Sequence, residues 1–275
     1  SHTSGEELLH RAIKFIDRST GRVMVLRPDV TPQIARMAAT LLRERDKPVR
    51  LCYSANLFRH EDEHAGRERE IFKMGGELIG PSDAAADAEV ITLAIEMLRK
   101  LNIKSFKIVL GQIDFTKGVL KPFESQPPLF QKIMDCVGRK ETSRLEALLR
   151  EVRVGTGLKK KVLALPDLYG EEETLDRAAA LAQGPLCESG LKRLSEVYDL
   201  LKKAGVQKYL FIDLGEVRGF DYYTGTTFEI FADAVGVELG GGGRYDHLLE
   251  KFGAPSPSIG FALHIERIQQ AMEMA

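Results

Sequence analysis

The chain has 275 residues, 44% hydrophobic and 29% charged, enough for one large domain with a full core, or one domain plus an insertion. Its formal net charge of −1 excludes a global electrostatic pull toward nucleic acid or anionic membrane, and no apolar run approaches membrane-spanning length. Three far-apart cysteines, Cys52, Cys136 and Cys187, with no Cys-x-x-Cys pair, argue against a disulfide framework or a cysteine zinc site and fit a reducing cytoplasm.

In chain order, Leu8, Leu9, Ala12, Ile13 and Ile16 fall at helical spacing and predict a short amphipathic helix over residues 6–16. Val23 to Leu26 reads as a buried strand. Thr31 followed by Pro32 predicts a helix start, with a hydroxyl N-cap and proline at the first helical position. Residues 49–59 and 69–80 read as two strands joined by a polar turn around Ala65-Gly66. On the second, Lys73, Gly75 and Glu77 share one face, and Phe72, Met74 and Leu78 the other. A helix follows from about Asp83 to Leu101, then a short strand from Phe106 to Leu110. From about Phe115 to Gly205 strand patterns give way to helical segments. This predicts a helical insertion over 116–204 between two parts of one core, 1–115 and 205–275. Strands resume from Tyr209 to Leu214, in the run from Arg218 to Glu229, from Val237 to Leu239 and from Ser258 to Leu263, with a last helix from Ile265. Hairpins flanked by helices, without a βαβ rhythm, indicate an α+β antiparallel sheet rather than a Rossmann domain.

The run from Arg218 to Glu229 concentrates the chemistry. Phe220, Tyr222, Phe228 and Ile230 alternate with Asp221, Tyr223, Thr227 and Glu229, so one face is apolar and the other polar. Either the polar face meets water or a small polar ligand lies on it. Arg59, Arg218 and Arg267 stand where their planar forks suit a phosphate or carboxylate, and each would equally serve a surface ion pair. His60 to His64 spells H-E-x-x-H, but a strand-and-turn context keeps the two imidazoles from converging as they do on a helix, so no metal is expected. Gly240 to Gly243 removes four side chains in succession, which lets backbone approach a flat ligand or marks a bulge.

The Arg-Gly-(hydrophobic)-Asp-Tyr-Tyr-Thr-Gly pattern beginning at Arg218 resembles the histidine-binding strand of the histidyl-tRNA synthetase family, which includes the non-aminoacylating regulatory subunit of ATP phosphoribosyltransferase. Phe58-Arg59-His60-Glu61, with Arg67-Glu68-Arg69-Glu70 through Gly80, looks like class II motif 2. Gly260 to Arg267 looks like motif 3, and Arg27-Pro28-Asp29-Val30-Thr31 resembles the loop that holds the histidine amino group. The resemblance spans about residues 5–270 apart from the helical insertion. It implies a class II synthetase-like core: a six-stranded antiparallel sheet flanked by helices, usually dimeric. It also implies histidine contacts at Asp29, Thr31, Lys73, Glu77, Arg218, Tyr222, Tyr223 and Tyr245, and a vestigial ATP or anion site at Arg59, Glu61, Arg67 and Arg267.

Departures discriminate between the relatives. Asp29-Val30-Thr31 stands where the synthetases have Glu-Gly-Thr, and Pro32-Gln33-Ile34-Ala35-Arg36 looks like the regulatory subunit. Lys73 replaces a glutamine and His264 a glycine. The first class II motif is expected ahead of residue 1, and no anticodon-binding domain is expected after motif 3. The resemblance therefore implies a regulatory subunit with no catalytic residue and no cofactor. It would join a short-form catalytic subunit of ATP phosphoribosyltransferase, as a homodimer within a hetero-oligomer, with L-histidine as ligand, in the first step of histidine biosynthesis. No tRNA and no membrane is expected as a partner. Two alternatives stay open: the catalytic core of a histidyl-tRNA synthetase, using ATP and magnesium, and a stand-alone synthetase-like histidine-binding module.

Overall fold

The computed structural model describes residues 11–60, 69–217, 223–233 and 235–274. Its spine is an eight-stranded sheet. In chain order the strands of that sheet are β3 (Val49–Phe58), β4 (Glu70–Ile79), β5 (Phe106–Gln112), β6 (Tyr169–Gly170), β7 (Leu210–Asp213), β8 (Thr226–Ala232), β9 (Glu238–Arg244) and β10 (Ser258–His264). They lie side by side as β3-β4-β10-β9-β8-β5-β7-β6. All neighbours are antiparallel except β5 and β7. The expected six strands thus become eight. The chain crosses a long helical segment before β7, which permits a parallel return beside β5. The two residues of β6, paired to β7, are too short to show any period in sequence.

Strand alternation divides the sheet into two working faces. On one, Leu78, Ile259, Phe261, Leu263, Phe228, Ile230, Ile108 and Leu110 point into the main core. Helix α2 (Ala84–Lys100) supplies the facing stripe, with Ile91, Ala94, Ile95 and Leu98 fully buried. Its start is set by Asp83, whose carboxylate accepts from the Ala86 amide at 2.9 Å. Burying each such Leu or Ile side chain contributes roughly 1.5–3 kcal/mol. The opposite face carries Tyr53, Lys73, Gly75, Glu77, Gly241, Gly243, Gly260 and Ala262, and is the face that is not filled. At the β3 edge it is bounded by α1 (Thr31–Thr40), which buries Ile34, Ala35 and Ala38 in a second, smaller cluster.

The helical segment comprises α3 (Ile113–Leu120), α4 (Pro127–Gly138), α5 (Thr142–Glu151), α6 (Thr156–Ala164), α7 (Glu173–Ala179) and α8 (Pro185–Lys203), and α9 (Ile265–Glu273) follows β10. Buried side chains of this segment, such as Ile133, Leu149 and Leu194, belong to the same cluster as the sheet's core face. Among the described residues, no helix is long and apolar enough to cross a membrane.

Four local expectations change. Residues Lys14–Ile16 form a strand, β1, paired with β2 (Val23–Val25), where a helix was expected; residues 6–10 lie outside the described set. Three residues of strand carry no period long enough to outweigh the helical spacing of the five apolar positions. The second strand is exposed rather than buried: Val23 is 66% and Val25 40% accessible. Thr31 is the first helical residue rather than the cap: Val30 stands at the cap position without a side-chain capping bond, and the Thr31 hydroxyl donates to Glu77 Oε1 at 3.2 Å. The strand expected from Arg218 begins at Thr226; residues 218–222 lie outside the described set and Tyr223 to Gly225 are not strand. From Thr226 onward the expected alternation holds, with Phe228 and Ile230 in the core.

Candidate functional site

Four adjacent strands make the floor of a cavity of about 150 Å³ lined by Asp29, Thr31, Tyr53, Arg59, Lys73, Glu77, Tyr223, Tyr245 and the backbone of β9 and β10. The floor is shallow because glycines meet there in register: Gly243 faces Gly260, and Gly241 faces Ala262, which faces Gly75. A Cβ added at Gly260 would overlap the Glu77 carboxylate, its cross-strand partner. The glycine run is the middle of a strand, kept bare for close approach, with a bulge at its start where Ile230 pairs with Gly240 and Phe231 with Glu238, skipping Leu239. Gly260→Ala is expected to lower stability by about 1–3 kcal/mol, the range of overpacked substitutions, read as a lower urea midpoint with unchanged slope.

At one end stand acids and phenols. Tyr245 donates its hydroxyl to Glu77 Oε2 and Thr31 donates to Oε1. Burial pushes the Glu77 carboxyl up to about 8, against the pull of these hydroxyls. Asp29 sits beside it, with one carboxylate oxygen accepting the Val30 amide at 2.8 Å. Burial first, then the Glu77 and Asp29 charges, raise the Tyr53 phenol. Tyr223 is raised by burial and then by Asp29 and Glu77. This end would take a cation or a hydrogen-bond donor.

At the other end stand cations. Lys73 precedes Glu77 by four residues on the same face of β4 and pairs across strands with His264. Burial lowers the Lys73 ammonium to about 8, helped by the Arg59 charge and opposed by Asp29 and Glu238. Burial, then the Lys73, Arg267 and Arg59 charges, keep the His264 imidazole neutral far below its ordinary range. Arg59 is anchored by its Nε to the Pro28 carbonyl at 2.8 Å. Arg267, on α9, donates to the Glu238 carbonyl at 2.6 Å and pairs with the Glu238 carboxylate at 2.9 Å. An acidic end and a cationic end within one small cavity suit a zwitterion whose amine and acid groups are a few ångströms apart.

The structure thus gathers Asp29, Thr31, Arg59, Lys73, Glu77, Tyr223 and Tyr245 round one cavity, and sets Arg267 beside it on Glu238. Arg218, Tyr222, Glu61 and Arg67 lie outside the described residues, as does His64 of the H-E-x-x-H run. Two contributors were missed. Tyr53 was findable from parity, since Leu51, Tyr53 and Ala55 oppose Glu77, Gly75 and Lys73. Glu238 had only its place before the glycine run as a signal.

A family model described as histidyl-tRNA synthetase matches residues 1–268. ATP phosphoribosyltransferase regulatory subunits of Geobacter sulfurreducens and Moorella thermoacetica are 39% and 43% identical over 98% and 93% of this chain. That of Desulforamulus reducens is 38% identical over 98% of this chain and 67% of its own length. The chain belongs to the histidyl-tRNA synthetase-like family of ATP phosphoribosyltransferase regulatory subunits. It spans 61% and 65% of the Geobacter sulfurreducens and Moorella thermoacetica proteins. A solved Bacillus halodurans structure, described as an ATP phosphoribosyltransferase regulatory subunit/histidyl-tRNA synthetase, superposes with a TM-score of 0.88 at 31% identity, over 95% of this chain and 68% of that one. A histidyl-tRNA synthetase from Nostoc sp. superposes at 0.79 with 20% identity, over 99% of this chain and 64% of that one, and shares the fold. The regulatory-subunit family thus keeps a class II synthetase-like α+β fold in this chain, with eight strands in its main sheet.

Proposed function

We propose that this chain is the synthetase-like part of a non-catalytic regulatory subunit. It joins a short-form catalytic subunit of ATP phosphoribosyltransferase, is required for that subunit's activity, and takes part in histidine feedback on the first step of histidine biosynthesis. The names of the relatives support the first part. The observation that carries the ligand is the two-ended cavity. The histidine amine meets Asp29, Thr31 and Glu77, its carboxylate meets Lys73 and Arg59, and Tyr223 and Tyr245 wall the ring. Residues 116–204 form the helical insertion of a core built from 1–115 and 205–275. The exposed apolar residues Phe15, Ile16, Val23, Met24 and Val25 of the β1–β2 ribbon are where we place the second copy of a homodimer.

Feedback then works as population shift: histidine favours one arrangement of the complex, and the substrates of the catalytic subunit favour the other, each weakening the other's binding. The second reading, a synthetase core that adenylates histidine with ATP and magnesium, draws on the retained Arg59 and Arg267. Against it stand Lys73, an amine in the cavity where the synthetases carry a neutral glutamine, and the engagement of Arg267 with Glu238.

The test uses the full-length protein. The expected result is no histidine-dependent exchange of pyrophosphate into ATP, together with gain of phosphoribosyltransferase activity when the short catalytic subunit is added. Exchange would overturn the reading in favour of a synthetase. Neither exchange nor activation would leave a stand-alone binding module.

A further inference from the structure

The cationic end of the cavity poses an electrostatic question. Arg59, Lys73, Arg267 and His264 sit close enough that each of the three charged groups disfavours protonation of the imidazole, and the two arginines disfavour that of Lys73. Such a cluster on a partly buried sheet face is stable only with a counter-charge. Lys73 draws on Asp29 first, and for Arg267 the fold supplies Glu238. Glu238 is the first residue of β9, at the mouth of the bare strand, and reaches Arg267 by both its carboxylate, at 2.9 Å, and its carbonyl, at 2.6 Å. The contact is half-buried, with side-chain accessibilities of 26% for Arg267 and 36% for Glu238. The same carboxylate supports the Lys73 ammonium.

We propose that Glu238 is the specificity-determining residue of this end: it stands as an internal counter-ion on Arg267 and closes the cationic cluster to oligophosphate ligands such as ATP, leaving the cavity to a small zwitterion. Two effects act together. A phosphate oxygen on Arg267 must displace a carboxylate that is already in place, and the incoming polyanion then meets the Glu238 charge at short range. His264 adds bulk without adding charge, because its imidazole is held neutral. The proposal deepens the reading of a pocket that holds an amino acid without activating it, and it is measured without histidine, so either can fail alone.

The experiment titrates the full chain with magnesium ATP by calorimetry, histidine absent. Wild type is expected to bind weakly. Glu238→Gln, which keeps the size and removes the charge, is expected to bind at least about tenfold more tightly, the scale of one charge-assisted contact released. Adding Arg267→Ala to that variant is expected to remove the gain. Glu238→Asp, which keeps the charge but withdraws it by one methylene, gives a smaller gain and guards against a fold defect in the amide variant. A folded Glu238→Gln protein, by circular dichroism, with wild-type ATP affinity would overturn the proposal, as would a gain that survives loss of Arg267.

Discussion

Glu77→Gln is expected to weaken histidine binding by about ten- to a hundredfold, the cost of losing one charge-assisted contact to a buried amine. In the assembled enzyme the histidine concentration for half-inhibition rises by the same factor, while activation of the catalytic subunit is unchanged. If inhibition is unaltered, the site assignment is wrong. The same substitution has a pH signature. In the empty pocket burial lifts the Glu77 carboxyl to about 8 from an ordinary 4.5, so the native state holds a proton that the unfolded chain releases between those values. A carboxyl raised on folding makes stability fall as pH rises through that window, and the loss is complete above the folded value. Wild type therefore loses stability relative to Glu77→Gln between about pH 4.5 and 8, by a few kcal/mol in total, read from urea unfolding at pH 5, 7 and 8.5. An ammonium ligand favours the ionised carboxylate, so histidine binding at pH 7 releases protons in wild type and fewer in the variant.

The second large effect lies under the sheet, on its helix face. Asp87, wholly buried on α2, accepts the Arg244 Nε at 2.8 Å, the Arg244 Nη2, and the Thr226 hydroxyl at 2.9 Å. Arg244 spends its other nitrogen on the Pro81 carbonyl and on Asp246, both at 3.1 Å. Asp246 in turn accepts the Ser258 amide, and its own amide donates to Thr224. The Arg244 carbonyl takes the Thr224 amide, which fixes the chain next to Tyr223, and Arg244 precedes Tyr245. Removing one member of a buried pair leaves a charge stranded. Asp87→Ala is expected to cost about 3–5 kcal/mol, visible as a large fall in thermal midpoint. Replacing both members with apolar residues, Asp87→Leu with Arg244→Met, recovers most of the loss if the stranded charge is the cause; no recovery would assign the loss to packing instead.

How much of this was legible depends on the length scale of each signal. Strands β3, β4, β8 and β10 alternate over seven to ten residues, and their faces follow from parity alone. Lys73 and Glu77 on one face with Tyr223 and Tyr245 nearby needed only that parity and the resemblance. What failed was short or non-local. β1 has three residues and shares its apolar positions with a helical pattern. Thr31 carries a local cap signal, yet its hydroxyl goes to Glu77, 46 residues away. Asp87 and Arg244, 157 apart, are each ordinary in sequence, and only the packing of α2 on the sheet makes them partners. Glu238 was passed over for the same reason: its meaning depends on where α9 sets Arg267.

The bare glycine strands have a consequence for how such a pocket changes over generations. Along β9 and β10 its floor is peptide with the single methyl of Ala262, and at Gly260 there is no room to admit a side chain. Its rim is all side chain, carried on α1, β3, β4 and the ends of β9 and β10. Selection can therefore rewrite the ligand at the rim, one charge at a time, while the scaffold beneath stays fixed. On the reading proposed above, Lys73 and Glu238 are two such rim positions, where one charge sets which ligand the shared scaffold takes.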